Sequence, residues 1–130
     1  ALIANRYEVM ARYAAEIRRA AKAELARLEA QGAQAGGARW RNMRLARAWL
    51  YRDDDKIPQG VKPQLEQALG ESPRLAKLVV MREELRALWT RQNVSAQQLV
   101  SDLQAWCRQA EDSGIAALHD FSLKLRAARA

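Results

Sequence analysis

Cys107 and His119 are the only cysteine and histidine in the chain, so nucleophilic and proton-transfer chemistry would have to start there. A cysteine nucleophile needs an electropositive, partly open setting that stabilises its thiolate. Cys107 instead follows Trp106 on what reads as the inner face of a helix, where a thiol packs as a small hydrophobe. His119 has Asp120 beside it and Glu111 and Asp112 across a turn. Adjacent helical residues do not face each other, so an Asp–His pair is not expected, and His119 reads as a surface or boundary side chain. One cysteine and one histidine cannot build a Cys/His metal cluster, which leaves only a carboxylate site. The acidic run Asp53-Asp54-Asp55 lacks the glycine and distal glutamate of a calcium loop. Acids are disfavoured at a helix C-terminus, so these three are expected to begin a turn or cap the next element. No catalytic set, metal site or cofactor is expected in this chain.

Binding chemistry is better represented. The formal net charge is +7. Residues 1–52 hold 11 Lys/Arg against 4 Asp/Glu, whereas residues 53–130 hold 11 of each. The excess is therefore a basic limb on a neutral body. Arg12, Arg18, Arg19, Lys22 and Arg27, with Arg41, Arg44 and Arg47, form the candidate binding surface. Such a surface suits nucleic acid, an anionic membrane or an acidic protein, or is simply a solvated arginine-rich face. No base-reading motif is recognisable, so DNA contact would run to phosphates, independent of sequence and sensitive to salt. Trp89 and Trp106 fall on apolar stripes and are expected in the core. Trp40, between Arg39 and Arg41, is the candidate for exposure, stacking on a base or lying at a membrane interface.

The elements that must carry these residues are helices. Alanine, arginine, leucine, glutamate and glutamine dominate and β-branched residues are scarce, a balance that favours helix. A first helix is expected over about 3–31, with Ile3, Tyr7, Met10, Ala14, Ile17, Ala21, Leu25 and Leu28 as one apolar stripe. That stripe could also pair with a second copy of the chain. Gly32, Gly36 and Gly37 end it in a link. A second helix over 38–52 would bury Leu45 and Trp49. A short one over 61–69 would stop at Gly70. Ser72-Pro73 opens a helix as N-cap and first-turn proline, carrying Leu75, Leu78, Val79, Leu85, Leu88 and Trp89. Ser95 with Gln98 makes a capping box for a helix whose inner stripe is Leu99, Leu103, Trp106 and Ala110. Gly114 stops it, and Ile115, Leu118, Phe121, Ser122 and Leu125 line the last helix. The expected fold is all-α, a five- or six-helix bundle with a long N-terminal helix and a basic helical hairpin. Its 130 residues make one helical domain, the hairpin over 1–52 and the neutral body over 53–130. No apolar run approaches the length of a membrane span. The chain begins at Ala1 inside a helical pattern without an initiator methionine, and reads as a piece of a longer protein.

Several ordered segments carry a resemblance. Trp49-Leu50-Tyr51, Pro73-Arg74-Leu75, Arg82-Glu83-Glu84-Leu85-Arg86-Ala87-Leu88-Trp89 and Trp106 to Ser113-Gly114-Ile115 resemble the helical insertion of bacterial insertion-sequence DDE transposases. In that family an Asp-x-(aromatic)-His-Val motif supplies a catalytic aspartate just before the insertion. Here Asn5 stands at the aspartate position and Glu8 at the histidine position, and no Gly-x-x-Glu-Gly-x-Asn comes after Arg126. Two-metal phosphoryl transfer needs carboxylates from separate segments, so the departures imply a transposase-like scaffold without its active site. Asn5 to Ala14, Met81 to Leu85 and Trp106 to Ile115 also resemble the C-terminal tail of integral-membrane fatty-acid desaturases of some β-proteobacteria. That likeness implies a parent enzyme with a di-iron site in its membrane part. The tail itself would be non-catalytic and cytoplasmic, membrane-associated through its parent, meeting a protein or an anionic membrane surface. That tail, in a protein-binding, lipid-surface or regulatory role, is the preferred reading at this level, and a DNA-contacting helical insertion of a DDE transposase or of a domesticated relative is the alternative.

Overall fold

The structure, a computed structural model, describes residues 6–32, 34, 36–91 and 94–127. Six α-helices account for most of them, with no strand among the described residues, and the all-α class expected from the sequence is observed. The helices are α1 (Arg6–Ala30), α2 (Ala38–Trp49), α3 (Lys62–Glu71), α4 (Pro73–Thr90), α5 (Ala96–Glu111) and α6 (Ala116–Ala127). By its contacts the chain divides into two compact units, one of residues up to Tyr13 and from Val80 onward, the other Ala14–Val79.

In the Ala14–Val79 unit, α1 buries Ile17, Ala21, Leu25 and Leu28, the stripe read from spacing. The helix then stops where Gly32 takes φ +86°, a conformation costly for any side chain with a Cβ. The face of α2 differs from expectation. Leu45 and Trp49 are only half-buried, and Asn42, Met43, Ala46 and Leu50 point inward instead. The cause is α3, which packs closely on α2 and offers Gln67 Oε1 to the amide of Asn42 at 2.9 Å. A polar residue is thereby drawn inward and the helix rotates on its axis. Asp53-Asp54-Asp55 leads into a 3₁₀ turn over Asp54–Lys56, and Asp54 accepts from Lys62 Nζ at 3.2 Å. The acids therefore begin a turn, as read. Helix α3 continues through Gly70 to Glu71 rather than ending at the glycine. Ser72 sets the break, its Oγ accepting from Leu75 N at 3.2 Å as the cap of α4.

The other unit has an aromatic centre. Tyr13 lies edge-on to Phe121 at 5.0 Å and to Trp106 at 6.1 Å, and those two rings lie 5.9 Å apart. Such edge-to-face pairs contribute about 0.5–1.5 kcal/mol each beyond burial. Tyr13, not the expected Tyr7, carries the buried stripe of α1 into this unit. Tyr7 is 73% exposed, because six residues place it roughly a third of a turn around the helix from Tyr13. Ile3 lies outside the described residues. Helix α4 supplies Met81, Leu85 and Leu88; Trp89 and, in the other unit, Val79 are half-buried rather than interior. Trp106 Nε1 donates to Met81 O at 2.9 Å, which ties α5 to α4. Ser95 Oγ accepts from Gln98 N at 3.0 Å, but Gln98 Nε2 turns to Asp102 at 2.9 Å. The capping box is thus half-formed, because a carboxylate one turn on competes for the amide. Between α5 and α6, Gly114 takes φ +77°, while Ser113 Oγ donates to Ala110 O at 2.7 Å and accepts from Ile115 N at 3.1 Å.

Candidate nucleic-acid interface

Helix geometry sorts the eight basic residues. Arg12 belongs to the unit that holds Tyr13, and its guanidinium reaches Glu8 at 2.7 Å. The other seven lie in the Ala14–Val79 unit, which carries 13 Lys/Arg against 8 Asp/Glu. On α1, Arg19 pairs with Glu16 and Arg27 with the buried Glu24. Arg18 and Lys22, one turn apart, share a flank. Arg27 is nine residues from Arg18, roughly two and a half turns, and so looks the other way. The expected surface of α1 is therefore two faces, one neutralised and one not.

Trp40, Arg44 and Arg47 of α2, with Tyr51 just beyond its end, recur at steps of four, three and four, the spacing of one helical face. It is turned away from the buried Asn42, Met43 and Ala46. Arg44 places its Cζ 5.1 Å from the centre of the Trp40 ring. Arg41 donates to Gly36 O. At the end of α2, Arg52 lies 5.1 Å from the Trp49 ring and 5.2 Å from the Tyr51 ring, and Arg18 of α1 lies 5.0 Å from Tyr51. Trp49 and Tyr51 are half-buried and Arg18 and Arg52 exposed. Sequence reasoning omitted Arg52 and Tyr51 and sent Trp49 to the core. The signal was present in Trp49-Leu50-Tyr51-Arg52, two aromatics and then a cation, but what joins it to Arg18 is tertiary.

Among the described residues, Arg18, Lys22, Arg44, Arg47 and Arg52 have no ion-pair partner, whereas Arg12, Arg19, Arg27 and Arg39 each have a carboxylate within 3.0 Å. Trp40, expected exposed, is half-buried like Trp49 and Tyr51, and uncompensated cations interleaved with such partly open aromatic rings are what a nucleic-acid backbone and its bases can use.

The groups considered for catalysis are placed differently. Cys107 is buried, and burial pushes its thiol pKa up, away from a nucleophilic thiolate. His119 does meet Asp120, Nδ1 to Oδ1 at 3.3 Å, contrary to expectation. The two exposed side chains bend toward each other off the helix surface, which adjacent positions permit only in solvent. The Glu111 carboxylate accepts from Arg126 and Ser122, and those hydrogen bonds lower its pKa. Among the described residues no group of three or more His, Cys, Asp or Glu is placed to hold a metal ion. Asn5, at the aspartate position of the resemblance, lies outside the described residues. Also among them, no helix is long and apolar enough to cross a membrane.

Comparison with known proteins agrees with one of the two resemblances. A family model described as a transposase, the ISL3 group of DDE transposases, matches residues 2–130. No curated protein and no solved structure matches the chain. Nothing found supports a desaturase tail.

Proposed function

Since the chain belongs to the ISL3 family of DDE transposases, we propose that it is the helical region by which such a protein grips DNA, and that it does not itself cut. One observation carries the reading: Arg18 and Lys22 on a flank of α1, Arg44 and Arg47 on α2 and Arg52 just beyond it lack an ion-pair partner among the described residues, and Arg18, Arg44 and Arg52 lie against the rings of Trp40, Trp49 and Tyr51. Each guanidinium can give two parallel hydrogen bonds to a phosphate. Their spacing along a helix face suits a phosphate track rather than base edges, so the contact is independent of sequence. Asn5 in place of a catalytic aspartate supports a non-catalytic role, because an amide cannot replace a charged metal ligand in two-metal phosphoryl transfer.

The test is titration of the chain onto labelled duplex DNA at two salt concentrations, with anionic vesicles as competitor. Binding should weaken steeply with salt, resist the vesicles and ignore sequence. Replacing Arg41, Arg44 and Arg47 together by Gln should lower the salt slope by up to about three phosphate contacts while leaving the circular dichroism unchanged. Affinity untouched by that triple change would refute the reading.

A further inference from the structure

Tyr51 is shared by two cations from separate elements, and this goes beyond a diffuse positive surface. The Arg18 Cζ lies 5.0 Å from the ring centre and the Arg52 Cζ 5.2 Å, so the two are no farther apart than those radii together. Arg52 is held a second time by the Trp49 ring at 5.1 Å. Neither arginine has a carboxylate partner among the described residues. Two like charges bordering one ring raise the positive potential there and favour an anion beside them. The rings hold both in place, at lower entropic cost than free side chains would require.

Resting on the DNA-gripping reading, we infer that Arg18, Arg52, Tyr51 and Trp49 form a phosphate clamp that takes a phosphodiester of the DNA backbone. Charge complementarity selects the occupant. A phosphodiester presents two non-bridging oxygens that two planar forks can share. Arginine suits this geometry and lysine does not, because an ammonium is a point charge that neither forks nor stacks flat. Tyr51 acts as the spacer between the forks, and Trp49 fixes one of them.

The experiment compares the whole chain with Arg18→Lys/Arg52→Lys and with Tyr51→Leu, on a labelled duplex across a salt series. The lysine pair keeps every charge, so the slope against salt should stay as it was while affinity falls roughly tenfold. Tyr51→Leu should lower affinity several-fold, again without change of slope. If the lysine pair binds as tightly as the parent, the clamp is refuted while the DNA-gripping function stands. If the parent chain does not bind DNA, or anionic vesicles displace it readily, both fall. Should Tyr51→Leu fail to fold, the lysine pair decides alone, since Arg18 and Arg52 are both exposed.

Discussion

Glu111 secures the last helix to the one before it. Its carboxylate accepts from Arg126 Nε at 2.7 Å and Nη2 at 3.3 Å, and from the Ser122 hydroxyl, which also lies 3.2 Å from Cys107 O. Because those bonds favour the ionised form, the folded-state pKa lies below the ordinary carboxylate value, with the Arg126 hydrogen bond as the largest cause. The contribution is therefore complete above the ordinary value and fades as acid protonates the folded carboxylate. Glu111→Gln should cost about 1 kcal/mol near neutral pH, and little in strong acid, read from thermal melts across pH. Trp106 offers a second test of a single group. Trp106→Phe keeps the aromatic cluster but removes the indole hydrogen bond to Met81 O, and should cost about 1 kcal/mol by denaturant unfolding.

At the scale of elements, most of the punctuation and most of the buried faces were legible, and the face of α2 was not. Ser72, Ser95, Gly32 and Gly114 sit where the sequence placed them, because caps and left-handed turns are decided by a few neighbouring residues. Gly114→Ala forces a Cβ into φ +77° and should cost about 1–2 kcal/mol. Ser95→Ala removes the cap on Gln98 N and should cost about 1 kcal/mol. Both are read from denaturant midpoints. Which side of α2 turns inward depends on Asn42 finding Gln67 on α3, a pairing across 25 residues that no local pattern announces. The same holds for the candidate site. Arg44 and Arg47 were found by counting charge, but Arg52 gains its meaning from Arg18 and Tyr51 meeting through the fold. Arg19 and Arg27 were counted as binding residues, although Glu16 and Glu24 one turn away already neutralise them.

For the whole molecule, the basic excess belongs mostly to the Ala14–Val79 unit. Lysine modification offers a footprint of that bias. With DNA bound, Lys22 should be protected from acetylation, whereas Lys124, the only lysine in the rest of the chain, should react as in free protein. Mass spectrometry of modified peptides would show it, and equal protection of both would contradict a one-sided grip. Three of the four tryptophans obey a related division. Trp106 is sealed among Tyr13, Phe121 and Met81, while Trp40 and Trp49 each lie beneath a guanidinium at a half-open surface. The chain thus carries its own optical reporters. Emission from Trp106 tracks unfolding, and a change in emission from Trp40 and Trp49 tracks an anion taken up by the arginines stacked on them, so one fluorescence spectrum distinguishes a protein that has bound from one that has come apart.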